Sequence, residues 1–430
     1  MRLASWIALA SVSWTLLVAA GCDKRTTAPA TRSELAPDEA IVRYRYADAP
    51  DLEADIPGMI VQLEERVSSS LGSAMDMSEL ADMYQRRALQ AGDLEDYTRA
   101  EAMARRSLAA MPERNGATLT LAKIANAQHR FREAIEIATT HLALKKSTGA
   151  YSILATAYLA LGELAPALAA AESSLTIAPS SGGYLMRALV EQAQGRDKEA
   201  AADFARAASI EGAGERQAAA RLRTLWGRFL LRRGDLASAA LVLDEALRIV
   251  PDYPFARAQK AELALRSGNV KEARAMFEQA FASSRQVRYL IDLARAQELG
   301  GDKAAADASR TQVEKMVRAE LADHGFGHQL DLVEILVDRG TPADLDEAIR
   351  LAREEVERRP SAETRFQLAR GLSRAGKRAE AVAQIDAALA TGARDARMFE
   401  LAARLEASDA YAKEAATLDP GASGWRSLGM

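Results

Sequence analysis

The chain has 430 residues, with 60 acidic side chains against 56 basic ones, a formal net charge of −4 and a single cysteine. That balance argues against a nucleic-acid binder, and one thiol excludes a disulfide framework. Apolar residues make up 49% of the chain but aromatic ones only 5%, with Ala and Leu dominant, as suits helices packed at close range.

Residues 1–21 open on a short positive Met1-Arg2, continue through an apolar run carrying Trp6, Ile7, Trp14, Leu16 and Leu17, and end in Ala19, Ala20 and Gly21 before Cys22. This is the pattern of an export signal, too short and too quickly ended for a comfortable membrane span. The small residues before Cys22 resemble the lipobox of bacterial lipoproteins, with Ala19 where Leu is more usual. The resemblance implies lipidation at Cys22, whose several acyl chains would exceed the two signals that stable anchoring needs. An ordinary cleaved signal peptide with an incidental cysteine is the alternative. The expected location is the bacterial envelope, lipid-anchored and facing the periplasm; the lipoprotein resemblance implies that Asp23, next to Cys22, favours retention at the inner membrane, but the choice between membranes stays open. Residues 22–38, rich in Thr, Ala, Pro and charge, predict a flexible tether behind the anchor. Residues 39–77 predict an N-terminal cap segment. Within it the alternation Val42-Arg43-Tyr44-Arg45-Tyr46 suits a short strand or, better, an extended segment on the first helices, and a helix from Pro57 covers a bare apolar face. Tyr44 and Tyr46 as a docking motif is the functional alternative.

From there one small residue recurs: Ala134, Ala167, Ala200, Ala239, Ala273, Ala306, Ala348 and Ala381, at intervals of 33, 33, 39, 34, 33, 42 and 33. A Gly stands five residues before most of them, in Gly162, Gly195, Gly234, Gly268, Gly301 and Gly376, where a first helix must end and the chain reverse. Seven residues earlier comes a second small residue, as in Ala155, Ala188, Gly227, Ala261, Ala294 and Ala369. Two helices cross closely where small faces small, while larger residues such as Phe204, Leu243, Phe277 and Ile385 fill the groove to the next pair. Pro112, Pro179, Pro251 and Pro360 stop the second helix.

These positions resemble the tetratricopeptide repeat. The best copy, 220–253, carries Gly227, Leu230, Gly234, Ala239, Leu243, Ala246 and Pro251 at places that suit that family, with Trp226 where Leu is more usual. Residues 254–287 repeat it and 115–212 hold three more copies. Weaker units occupy 78–112, with a short insertion near 93–97, then 287–318, 325–360 and 362–391, and 396–419 has the look of a shortened cap. The resemblance covers 78–420, leaving 421–430 as a C-terminal tail. It implies an all-α, right-handed solenoid of about nine to ten helical hairpins with a concave inner face, and a binding surface in place of a catalytic pocket.

Signals for chemistry are sparse. His324 and His328 are four apart, a metal-ligand spacing on a helix, but Gly325 and Gly327 between them weaken that helix. His129 falls at a turn position and His141 at a packing position. There is no phosphate-cradling glycine loop and no Gly-x-Ser-x-Gly elbow, so no catalytic residue, metal or cofactor is expected. The resemblance places the first helix of each hairpin on the concave face. There the early units carry Leu119, Lys123, Asn126, Ser152, Thr156, Leu185, Leu189 and Gln192, whereas later units carry Arg221, Arg228, Arg232, Arg266, Arg288, Arg295, Arg370 and Arg374. Guanidinium forks match carboxylates. The expectation is a membrane-anchored protein-interaction scaffold that grips acidic segments of partner proteins and serves envelope assembly. The bland alternative pairs these arginines with neighbouring carboxylates such as Glu262, Glu298 and Glu363. The competing class is an enzyme or a metal, glycan or small-ligand binder using the His324/His328 region or the groove.

Overall fold

The computed structural model describes residues 34–51, 55–69, 72–91, 94–112, 115–322 and 328–420. The lipidation site Cys22, the tether up to residue 33, His324 and the tail 421–430 therefore lie outside the described residues. Every regular element among those described is a helix. A short α1 (Glu39–Val42) and α2 (Ile56–Ser68) precede a series of hairpins: α3 (Ala74–Ala91) with α4 (Leu94–Ala110), α5 (Ala117–Ala127) with α6 (Phe131–Leu144), α7 (Thr148–Ala160) with α8 (Leu164–Ile177), and α9 (Ser181–Ala193) with α10 (Asp197–Ser209). The series continues with α11 (Arg216–Arg232) and α12 (Leu236–Ile249), α13 (Pro254–Arg266) and α14 (Val270–Ser284), α15 (Val287–Leu299) and α16 (Lys303–Ala322). It closes with α17 (Gln329–Arg339) and α18 (Pro342–Arg358), α19 (Ala362–Arg374) and α20 (Arg378–Leu389), and α21 (Ala396–Glu406) and α22 (Asp409–Leu418). Each helix packs on its hairpin partner and on the next hairpin, the arrangement of an α-solenoid.

The register of small residues explains the hairpins. All eight recurring alanines lie in the second helix of a pair and are fully buried, as are Ala155, Ala188, Ala261 and Ala369 opposite them. Ala100 on α4, also fully buried, extends the series one unit earlier at an interval of 34. Gly227 shows why the positions stay small: a Cβ there would stand 2.6 Å from two carbons of Leu243, a side chain with no room to move in a close-packed interior. The six turn glycines have φ between 72° and 82°, the left-handed conformation that glycine adopts without a Cβ penalty. His129 holds the equivalent place in the α5–α6 turn at φ 60°, its ring stacked on Phe131. Helices α4, α8, α12 and α18 end two residues before Pro112, Pro179, Pro251 and Pro360. The degenerate unit turns at Gly340 (φ 69°) instead, followed by the Thr341 cap and Pro342.

The N-terminal segment corrects the sequence expectation. Residues 42–46 form neither a strand nor a cover for the first helices; after α1 they cross α10, α11 and α12. The Tyr44 amide donates to Glu245 Oε1 at 2.7 Å, 201 residues away, and the Val42 carbonyl accepts from Arg223 Nε at 2.6 Å. Arg223 is completely buried, bonded through both terminal nitrogens to Glu211 at 2.7 and 2.8 Å. The 39-residue interval is the reason: its extra residues form the 210–215 connection and a longer α11, which open a gap between α10 and α11. Val42 and Tyr44, each 2% exposed, fill that gap. Alternation at 42–46 was thus a signal of burial against distant hairpins. Helix α2 packs Ile56, Ile60 and Leu63 on Leu80, Met83 and Tyr84 of α3.

The hairpins wind until early and late units touch. An added Cβ on Gly162, in the α7–α8 turn, would lie 3.3 Å from the Ser361 backbone. One turn further along, the Arg394 amide donates to the Ala193 carbonyl at 2.8 Å. Arg233 reaches the Leu418 carbonyl, and Arg266 forms a two-pronged pair with Asp419 at 3.0 and 3.2 Å in which both side chains are buried. Contacts between early and late units therefore bound the concave face and make it a partly open cavity.

Candidate functional site

That cavity has a volume of about 810 Å³ and is lined chiefly by the first helices of the hairpins from α7 to α21. Its wall holds nine guanidiniums and five carboxylates, together with Leu159, Leu189, Phe255, Phe277 and Phe366. Net positive charge in a water-restricted concavity attracts anions more strongly than the same charge on an open surface.

Its two long walls differ. On the later wall, α15, α17 and α19 carry a lattice of ion pairs. Arg288 bonds Glu334 at 2.8 Å and Asp292 at 3.2 Å; Arg295 bonds Glu334 and, at 3.3 Å, Asp338. Arg370, 3% exposed, completes it with Asp338 at 2.7 Å. Burial alone would raise the Glu334 carboxyl, but Arg288 and Arg295 outweigh it and hold that group well below the usual carboxylate range. Burial raises Asp292 and Asp331, with Arg288 opposing the shift in both. Beyond this lattice Arg397 bonds Asp395 and Glu363, each at 2.8 Å.

The earlier wall, α9, α11 and α13, is unbalanced. Arg221, Arg228 and Arg232 form no ion pair among the described residues although all three line the cavity. Arg228 lies over the Phe255 ring at 5.6 Å, and its Nε has no hydrogen-bond partner. Burial and the neighbouring Arg232, opposed in part by Glu262, push its guanidinium down to about 9, still protonated at neutral pH. The nearest carboxylates are engaged elsewhere, Glu262 by Arg266 and Asp395 by Arg397.

Of the eight arginines expected in the groove, six line the cavity and two do not. Arg266 is the buried clamp on Asp419, and Arg374 donates to the Val337 and Asp338 carbonyls, capping α17. The early groove residues lie mostly outside: Lys123 pairs with Asp82 and Asn126 donates to the Ile153 carbonyl, while Leu189 and Gln192 reach the cavity. Arg233 and Arg394 are cavity residues that helix register does not flag, because they sit in a turn and a connection, and Arg397, at the start of α21, is a third that the sequence reading did not name. Gln259 was also missed; a polar residue at an inward position was its available signal.

His328 precedes α17 and its Nδ1 faces Glu320, a contact that raises the imidazole against the effect of burial. No group of three or more His, Cys, Asp or Glu side chains suited to a metal occurs among the described residues. No described helix is long and apolar enough to cross a membrane.

Comparison with known proteins agrees with this architecture. The family profile described as tetratricopeptide repeat matches residues 230–297. Among solved structures, the APC/C hetero-tetramer Cut9-Hcn1 superposes with a TM-score of 0.50 at 11% identity, over 83% of this chain and 60% of that one. This chain thus spans less than two thirds of that structure's length. A tetratricopeptide repeat protein from Parabacteroides merdae gives 0.39 at 19% identity, covering 56% and 93% of the two chains. Yeast Tom70 gives 0.40 at 12% identity, covering 84% and 93%. No curated protein sequence matches significantly.

Proposed function

We propose that this chain, whose residues 230–297 match the tetratricopeptide-repeat profile, is a non-catalytic repeat scaffold that binds partner polypeptides inside the concave cavity. The observation that carries the reading is the cavity itself: apolar patches for side chains, and more guanidiniums than carboxylates to draw an acidic segment in. Cavities of this size bury most of a bound ligand and fix it with a few placed polar groups. Arginine suits the task because its planar fork meets a carboxylate with two parallel hydrogen bonds.

The scaffold is proposed to work at the bacterial envelope, anchored through acylated Cys22 and facing the periplasm. The export-type start and the small residues before the lone cysteine support this. Anchoring would confine the solenoid near a membrane and raise its effective concentration toward membrane-bound partners, which suits a role in assembling envelope complexes. Labelling with an acyl-chain analogue tests the anchor: Cys22→Ala should lose label and membrane retention, and retention without label would contradict it.

A photo-crosslinking amino acid at Leu189, inside the cavity, and another at Lys198, on the exposed start of α10, test the binding site in native membranes. Polypeptide adducts should form from Leu189 and not from Lys198. Adducts from the outer position alone would place recognition elsewhere.

A further inference from the structure

We infer that Arg221, Arg228 and Arg232 of α11, with Gln192 on α9 and Gln259 on α13, form a subsite for one internal acidic side chain of an extended polypeptide. This deepens the reading of the cavity as a polypeptide site and rests on it. The first ground is an imbalance. Elsewhere in this chain buried or cavity-lining arginines have internal carboxylates: Arg223 has Glu211, Arg233 has Asp197 and Arg370 has Asp338. The α11 trio follows the spacing i, i+7, i+11, which puts all three on one stripe of the helix, and that stripe faces the cavity with no ion pair among the described residues. Arg228 and Arg232, the partly buried members, lose hydration there without the compensation an ion-paired carboxylate gives, while Arg221 stands exposed at the rim.

The second ground is the pair of amides. Gln192 is only 9% exposed and lines the cavity, yet its Oε1 has no partner; the Gln259 Oε1, also in the wall, has none either. An inorganic anion needs donors alone. A side-chain amide offers a donor and an acceptor, the complement of a peptide group. The two amides stand on the helices to either side of α11, so they suit a chain continuing in both directions from the carboxylate. Phe255, beneath Arg228, gives an apolar floor for the stem of that acidic residue.

Fluorescence anisotropy on the full chain tests this with peptides blocked at both ends. One carries a single glutamate flanked by leucines and the second replaces it with glutamine. A third is the glutamine peptide with a free carboxyl terminus, and glutarate alone serves as competitor. The glutamate peptide should bind about tenfold more tightly than the blocked glutamine peptide, a ratio in the range of one charge-assisted contact. The double variant Arg228→Gln/Arg232→Gln should keep or raise its melting midpoint and lose the discrimination, whereas Gln192→Leu should weaken both blocked peptides and keep the ratio. Equal binding of the two blocked peptides, binding only by the free-ended peptide, glutarate matching the glutamate peptide, or discrimination surviving in the double variant would each overturn the subsite. If polypeptide adducts still form at Leu189 in that event, the cavity reading stands and only the subsite fails.

Discussion

The two walls of the cavity carry the same residue type to opposite effect. On α15 and α19, Arg288, Arg295 and Arg370 are matched by Asp292, Glu334 and Asp338, so their charge is consumed in tying one hairpin to the next. On α11 no carboxylate among the described residues forms an ion pair with Arg221, Arg228 or Arg232; Glu262 and Asp395 act on Arg228 and Arg232 only at a distance, so much of their charge remains directed at whatever enters. An arginine on a concave face is structural or recognitive according to its neighbours two helices away. Helix register alone does not decide between them.

The comparison breaks most visibly in stability. Arg370→Ala leaves Asp338 buried without that partner and should cost about 3–5 kcal/mol in denaturant unfolding. Arg221→Ala, exposed and unpaired, should stay within about 0.5 kcal/mol; a loss as large as that of Arg370→Ala would erase the distinction. Next in size, Gly227→Ala forces a Cβ against Leu243 where α11 crosses α12, and should destabilise by about 1–3 kcal/mol. A neutral result would mean that the crossing does not fix the position of α11 or its cations. Arg228→Met should go the other way, stabilising by up to about 1 kcal/mol by removing an unmatched charge, less the contact with Phe255, whereas Arg288→Met should destabilise. Calorimetric melts of the two read the opposite signs directly.

The smallest effect at neutral pH concerns Glu191, next to Gln192. Burial, then the nearby Asp203, pushes its carboxyl up to about 7. A raised folded-state value means that the protonated form is favoured in the native state. Stability is full below the ordinary Glu range and falls as pH rises through about 7. Glu191→Gln should flatten that loss, with little change at pH 5 and a higher midpoint at pH 8. Identical pH profiles for the variant and the parent would contradict the assignment.

Much of this was legible in the sequence, for identifiable reasons. The hairpins were, because Ala134 through Ala381 and the turn glycines obey local steric rules that any helical crossing must satisfy. Six cavity arginines were, because they lie on inward positions of first helices. The clamp Arg266–Asp419 and the crossing of 42–46 over α10–α12 were not. Both depend on contacts between residues 153 or more apart in the chain, set by how far each hairpin rotates on the last. The pairing of Arg288 with Glu334 was hidden likewise, since it joins two units across the 42-residue interval.

All of this presumes that early and late units meet across the concave face, and an inter-spin distance measurement tests that meeting most directly. Labels at Gln194 and Arg394, with Cys22 replaced, report the place where the Arg394 amide meets the Ala193 carbonyl. The structure predicts a single short, narrow distance distribution. A long, broad distribution, as from an open trough, would contradict it.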